Sequence, residues 1–445
     1  MEPIRFQEGS RFSGNKPEKG GENMRLAGII TEYDPFHAGH AWQLRRAREL
    51  GAQVIAVCMS EDLTQRGSAA LLPPAVRAAA ALDAGADLVI GLPNPCAVQS
   101  AEGFAAAGVA ALSALPGLDS LVFGAETPDT DALMETARVL CSPEFDRTVK
   151  QLVGQGMAFA AARAAAAGSL HPRAREILAH PNNNLGVEYC KAILRQGSSL
   201  VPVPVQRTGA QHGQQTPGEE GFASASYLRG LWRRQGVQAL APYVPAAALE
   251  RYQKAAAQGL DLDGRAFSVA VLSRLRAMDP ARLAAARGAA EGLEHRLAAA
   301  VRCAPDLESL YAAMKTKRYA HARLRRYALC AALGYGPDLP QTPPYLHVLA
   351  ANRAGLSLLK GAALPADTSL AALEKKSEAA RQMARAHAAG ADLAALCRRI
   401  PVPMGSSYTQ KPCLITGKSE NNFQAKPTNH CSTFCGSCVS EKKVL

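Results

Sequence analysis

Two histidines, His37 and His40, flank Gly39 within the stretch Gly28-Ile-Ile-Thr-Glu-Tyr-Asp-Pro-Phe-His-Ala-Gly-His40. An apolar run, Leu26 to Ile30, enters this stretch. A proline-containing turn follows, and a helix-like run from Ala41 to Leu50 leaves it. The pair therefore stands where a strand hands over to a helix N-terminus. Backbone N–H groups there lack helical partners, and the helix dipole presents its positive end. Such a place suits phosphate. Imidazoles positioned there donate hydrogen bonds to a phosphoryl oxygen as charge builds on it. Gly39, without a side chain, lets the backbone approach a nucleotide closely. The plainer reading is that a histidine simply caps the helix.

Several other groups of residues could meet a nucleotide. Ala223-Ser-Ala-Ser-Tyr-Leu-Arg229 puts Ser224 and Ser226 at a helix start and Arg229 one turn later. This is either an N-cap with a surface arginine or a second phosphate-binding element. In His180-Pro-Asn-Asn-Asn184, Asn182 carries both donor and acceptor and could read an adenine or ribose edge, or could serve only a turn. Arg207, after the apolar run Val201 to Val205, is a phosphate ligand or a surface charge. Thr64-Gln-Arg-Gly67 is a turn, or a loop over an acceptor site; Glu102 favours its helix dipole. Lys315, Lys317, Arg318, Tyr319, His321, Arg323, Arg325 and Arg326 combine charge with an aromatic platform, as RNA binding requires. A solvated basic helix face is the competing reading. In the tail, His430, Cys431, Cys435 and Cys438, with Cys413, evoke zinc, but a clear second ligand pair is missing and an irregular end is the simpler expectation.

The elements that must position these residues alternate along the first half. Strands are expected at Leu26–Ile30, Val54–Met59, Leu88–Leu92, Ser120–Phe123 and Leu200–Gln206, and helices at Ala41–Leu50, Pro74–Ala84 and Ser100–Leu115. Short continuous apolar strands between helices predict an α/β domain with a parallel sheet, which binds ligands beyond the carboxyl ends of its strands. Residues 129–195 read as helical with an interruption at 180–184, and Gly209–Gly221 as a mobile loop. The domain expectation is a disordered extension over 1–23, an α/β domain over 24–240, a helical domain without strands over 245–400, and an irregular tail over 401–445.

A chain of 445 residues with 48% hydrophobic content is a soluble globular protein, and it has no apolar run of about 18 residues to span a membrane. Residues 1–23 lack the apolar core of a secretory signal. The formal net charge of +12 suits a polyanionic partner. Cysteines such as Cys58, Cys190 and Cys330 fall in apolar segments, as buried thiols of a reducing cytosol do.

The spacing His-x-Gly-His after a strand is the signature of nucleotidyltransferases. Ordered blocks extend the likeness: GIITEYDPFHAGH (28–40), TQRGSAA (64–70), ALDAGADLVIGLP (81–93), QSAEGFA (99–105), FGAE (123–126), HPNNNLGVEYCKA (180–192), Arg207, ASASYLR (223–229) and KRYAHARLRR (317–326). With these the chain resembles the bacterial tRNA(Met) cytidine acetate ligase family, an HxGH group of the HIGH superfamily. The resemblance implies a Rossmann-like parallel-sheet nucleotidyltransferase domain followed by an α-helical domain. It implies an enzyme that uses ATP to turn acetate into acetyl-adenylate; Mg2+ is expected only because ATP usually arrives with it. The acetyl group then passes to the wobble cytidine of elongator tRNA(Met), giving N4-acetylcytidine.

Carried over by motif, His37 and His40 are catalytic at the phosphates. ATP contacts fall on Ile30, Thr31, Glu32, Tyr33, Asp34, Pro35, Phe36, His37, Ala38, Gly39, His40, Ala41, Trp42 and Gln43, with Gly124, Asn182, Arg207, Ser224, Ser226 and Arg229. tRNA contacts fall on Lys315, Lys317, Arg318, Tyr319, Arg323, Arg325 and Arg326. No protein-held metal, no membrane and a cytoplasmic setting are expected. The sequence departs from the family pattern at Asp34 and Ala38, where Asn is usual, at Gly91, where Glu is usual, and at Ala320 and His321. The alternative is a small-molecule adenylyltransferase without an RNA acceptor.

Overall fold

The computed structural model describes residues 26–207, 222–290 and 292–415. The expectations for 1–23, for the loop 209–221, and for His430, Cys431, Cys435 and Cys438 lie outside these residues.

Five short apolar runs form parallel strands: β1 (Leu26–Thr31), β2 (Val54–Ser60), β3 (Leu88–Leu92), β4 (Ser120–Ala125) and β5 (Val201–Gln206), in the order β5-β4-β1-β2-β3. Their alternate residues feed two apolar cores. Ile30, Cys58, Ile90 and Leu121 join one face, covered by the helix Ala101–Ser113; Ile29, Val57, Val89 and Val122 join the other, covered by Ala38–Glu49 and Pro74–Asp83. Burial on both faces is why these strands read as continuous apolar runs. The chain leaves β1 toward β2 on one side, while β4 lies on the other. That reversal opens a crevice at the carboxyl end of β1.

The parallel part is not the whole sheet. Leu346–Asn352 forms β6, antiparallel to β3, with Gly91 opposite His347. Its outer edge is shared by β7 (Ala366–Asp367) and β8 (Cys413–Ile415). The expectation of no strand between 245 and 400 is therefore corrected. A run of only seven residues among Ala- and Leu-rich helices carries too little periodicity to declare itself. The start of the tail is also more ordered than expected: a short helix, Ser406–Thr409, precedes β8, and Cys413 is a sheet residue. A third apolar core joins the helices Gly264–Arg276, Leu293–Cys303, Leu307–Met314, His321–Leu333 and Glu378–Leu396.

Two buried arginines pin the carboxyl edge. Arg77 donates to the carbonyls of Leu72 (3.0 Å), Glu32 (2.6 Å), Ser60 (3.0 Å) and Glu61. One guanidinium thus ties the chain leaving β1 to the chain leaving β2, using the several donors that only arginine offers. Arg398 similarly reaches the carbonyls of Ala70 and Leu71.

A buried cluster fastens β6 and the helix Glu378–Leu396 to β2. Glu61 lies 3.0 Å from Nδ1 of His347 and 3.4 Å from Nε2 of His387. It also accounts for the departure at Gly91: a Cβ there would stand 2.2 Å from a Glu61 carboxylate oxygen, so Glu61 occupies the space of a side chain at 91. The three side chains could be taken for metal ligands. However, His387 Nδ1 accepts the Asn94 N–H at 3.2 Å, which puts the ring proton on Nε2 and leaves no lone pair for a cation there. Burial pushes Glu61 up, but the two imidazoles outweigh it and the net shift is down. Burial pushes His347 down, but the Glu61 carboxylate outweighs it and the net shift is up.

The pair's pH dependence follows. A histidine raised on folding stabilises fully below its unfolded value of about 6.5, and that contribution is lost as pH rises through its folded pKa. The lowered Glu61 contributes above about 4.5 and loses it only as pH falls through its own folded value. The urea midpoint of the parent should decline on the alkaline side of pH 6.5 more steeply than that of His347→Gln. Parallel midpoint curves for the two proteins would contradict the ion pair.

Candidate active site

A cavity of about 390 Å³ opens at the carboxyl ends of β1 and β4. Its floor is the turn after β1. Tyr33 adopts φ 48, and the Asp34–Pro35 peptide is cis. Asp34 Oδ1 accepts the Leu71 N–H at 2.7 Å, and Arg229 donates to the Asp34 carbonyl at 2.6 Å and lies 3.3 Å from its Oδ2. The aspartate at this departure position thus keeps an acceptor for Leu71 and adds an ion pair to Arg229.

The two histidines close the turn onto the helix. His37 is the N-cap of Ala38–Glu49, and its Nδ1 accepts the Gly39 N–H at 3.1 Å. His40 returns the favour: its Nδ1 accepts the His37 N–H at 3.2 Å. This is a capping box built from imidazoles in place of hydroxyl and carboxylate. The rings stack with centroids 3.7 Å apart. A Cβ on Gly39 would press on the His37 ring at 3.0 Å, a second reason for glycine there. Because both Nδ1 atoms accept, both protons sit on Nε2, and each ring offers a neutral N–H donor. Burial first, then the charges of Arg207 and Arg229, lowers His37 to about 3. Burial first, then His37 and Arg207, lowers His40 well below its ordinary value. Capping and phosphate donation are therefore compatible roles of the same rings.

One expectation needs revision. The first-turn backbone donors are not free: Ala38 N–H goes to the Tyr243 carbonyl, Gly39 N–H to His37 Nδ1, and the His40 and Ala41 N–H groups to the His37 carbonyl. The donors left for an anion are the side chains.

Ile30, Thr31, Glu32, Tyr33, Asp34, His37, Gly39, His40, Trp42 and Gln43 line the cavity, as do Gly124, Asn182, Arg207 and Arg229. The other motif residues lie elsewhere. Phe36 is fully buried in the core with Tyr252 donating to its carbonyl, and Ala41 packs against the same core. Ser224 caps Ala225–Gln235 by accepting the Tyr227 N–H, and its hydroxyl meets that of Ser226 at 3.0 Å. At that helix start Ala223 and Ala225 line the cavity, together with Arg229.

Asn182 belongs to the first turn of the helix Pro181–Gln196 rather than to an interruption. Its amide bridges Glu126 (2.6 Å) and Arg207 (2.8 Å). Asn182 therefore orients Arg207 and has little left to read a base. Burial pushes Glu126 up, but the Asn182 and Asn183 donors outweigh it and hold the carboxylate ionised. Sequence reasoning left Glu126 without a role and did not place Gln65, Arg66, Phe104 and Tyr189, which line the cavity, at the nucleotide. Gln65 and Arg66 carried a signal in the Thr64–Gly67 motif; the aromatic residues were indistinguishable from core.

Lys315–Ala320 joins two helices, and His321–Leu333 follows with no side-chain cap. Lys317 and Arg318 are exposed. Lys315 donates to the Thr316 and Tyr319 carbonyls. Tyr319 is buried, with Arg323 4.9 Å and Arg318 5.8 Å from its ring centre, so it is no platform for a base. Arg325 is paired with Glu308 at 3.1 Å, and Arg326 donates to the Gln65 carbonyl at 3.3 Å. These last two arginines support the segment and join it to the cavity loop.

Known proteins share this sequence pattern and this fold. The HIGH Nucleotidyl Transferase family model matches residues 24–400. The chain is 33% identical over 376 residues to the tRNA(Met) cytidine acetate ligase of Caldanaerobacter subterraneus subsp. tengcongensis, covering 81% of this chain and 93% of that protein. It is 35% identical to the ligase of the same name from Latilactobacillus sakei subsp. sakei, covering 75% and 83%. The crystal structure of Thermotoga maritima TmcAL bound with alpha-thio ATP superposes with a TM-score of 0.81 at 25% identity, covering 88% of this chain and all of that one.

His37→Asn separates the two roles of the ring, since the Asn side chain can accept the cap bond but has no donor at the Nε2 position. Affinity for inorganic triphosphate by calorimetry should fall about tenfold, the worth of one hydrogen bond to a charged group, with thermal stability nearly unchanged. Unchanged affinity would remove the ring from the anion site.

Proposed function

The chain belongs to the HIGH nucleotidyl transferase family, and we propose that it is an ATP-dependent tRNA(Met) cytidine acetate ligase. The observation that carries the reading is the convergence of two neutral Nε2–H donors with Arg207 and Arg229 on one cavity at the end of β1. Donors of this kind are fixed before the reaction and cost no reorganisation as charge develops.

Acetate is a poor acyl donor because its oxygen is a poor leaving group. In the first step an acetate oxygen attacks the α-phosphorus of ATP and pyrophosphate departs. His37, His40 and the two arginines stabilise charge on the phosphoryl oxygens. In the second, the exocyclic amine of the wobble cytidine attacks the acetyl carbon and AMP departs. An anticodon-loop base can be unstacked and presented more readily than a paired one. Mg2+ would arrive with ATP and be held chiefly by its phosphates.

The RNA side of the reading rests on Lys317, Arg318 and the uncapped helix start at Ala320. Exposed cations beside an uncapped helix N-terminus suit a phosphate backbone. The link from Arg326 to Gln65 brings this surface to the rim of the cavity. Selection of elongator tRNA(Met) is proposed to lie on this helical layer.

Labelled acetate should enter elongator tRNA(Met) only with ATP, at the wobble cytidine. Lys317→Ala should weaken tRNA binding across sequences and reduce the salt slope by about one. ATP turnover with acetate that leaves every tRNA unlabelled would contradict the ligase reading in favour of a small-molecule adenylyltransferase.

A further inference from the structure

The second step needs an acceptor for a proton. When cytidine N4 bonds to the acetyl carbon and the carbon–oxygen bond to AMP breaks, one N4 proton must leave. His37 and His40 are unsuited, because each presents a protonated Nε2 and spends Nδ1 on the cap. Asp34 is unsuited as well: Oδ1 holds the Leu71 N–H and Oδ2 faces Arg229. Among the described residues, the other carboxylate lining the cavity is Glu32.

Glu32 follows the last residue of β1 directly and so stands at the carboxyl edge beside the histidine turn. Its Oε1 accepts the Gln65 N–H at 2.6 Å, and its second oxygen takes no hydrogen bond among the described residues. The carboxylate is held at both ends. Arg77 fixes the Glu32 carbonyl, and Arg326 fixes the Gln65 carbonyl. Gly67, at φ 77, packs so closely on the backbone of Arg325 and Arg326 that a Cβ would come within 2.7 Å. Glu32 is thus a positioned acceptor on the boundary between the nucleotide cavity and the basic segment.

We propose that Glu32 is the general base of acetyl transfer. It takes the N4 proton on its second oxygen as the N4–carbon bond forms, while AMP leaves with the electron pair of the broken carbon–oxygen bond; the proton then passes to solvent. The assignment rests on the ligase reading. Burial pushes the Glu32 carboxyl upward and the nearby Asp34 charge adds to this, against the Gln65 N–H, Arg229 and Arg66. The net upward shift makes it a stronger base than an exposed carboxylate, in the direction catalysis near neutrality needs.

The test uses the full chain and Glu32→Gln, which keeps the shape and the acceptor for Gln65. Acetate-dependent exchange of label between pyrophosphate and ATP reads the first step and also reports folding. Single-turnover transfer to elongator tRNA(Met) across pH reads the second. Transfer should fall about 10²–10⁴-fold more than exchange does. The parent's transfer rate should rise with pH through the ionisation of Glu32 and then level, and the variant should lack that limb. Transfer at the parent's rate would overturn the assignment, the leaving phosphate then taking the proton. Parallel loss of exchange and transfer would also overturn it, placing Glu32 in adenylation. A parent that exchanges pyrophosphate but labels no tRNA defeats the ligase reading, and the base with it.

Discussion

The reciprocal capping of one helix by two histidines constrains everything around the cavity. His37 Nδ1 takes the Gly39 N–H, and His40 Nδ1 takes the His37 N–H. These bonds fix ring orientation, tautomer and the angle at which the helix leaves β1. A serine–glutamate capping box would satisfy the same backbone donors, but it would leave no N–H pointing outward. With imidazoles, the acceptor atom serves the fold and the opposite atom is left to donate to a ligand. The neutrality enforced by burial and by nearby arginines suits this division, since a neutral ring donates without needing a counter-charge when the site is empty.

The rings hold their places because the edge beneath them is rigid. Arg77 ties the chain segments leaving β1 and β2, and Asp34 anchors the turn to Leu71 and Arg229. Breaking such a buried arginine's contacts would strand both the charge and the carbonyls. The same edge reaches outward through Glu32, Gln65 and Arg326 to the helix His321–Leu333. A displacement of the basic segment would therefore be felt at Glu32 through two hydrogen bonds. The cluster of Glu61, His347 and His387 adds the late strand β6 to the platform.

Much of this was legible in the sequence. The five parallel strands announced themselves because burial on both faces removes polar residues from the run. The histidine pair was legible because its spacing and its place after a strand both carry meaning. Other features depend on contacts that spacing does not encode. β6 pairs with a strand more than two hundred residues earlier in the chain, and nothing local marks it. Ser224 and Ser226 have the chemistry of phosphate ligands but spend it on a cap and on each other. Tyr319 has the chemistry of a stacking platform but is buried beneath arginines. Asn182 supports Arg207, and its partner Glu126 carried no role until the fold brought them together. In each case the residue type was informative and the direction of the side chain was not.

The central claim is that both rings are neutral, with the proton on Nε2. Long-range ¹H–¹⁵N correlation spectra of protein labelled in histidine nitrogen test it directly. For His37 and His40 the account predicts unprotonated Nδ1 and protonated Nε2, unchanged from about pH 5.5 to 8. A ring that titrates near about 6.5, or that carries its proton on Nδ1, would contradict the capping arrangement and with it the assignment of these rings as phosphate donors.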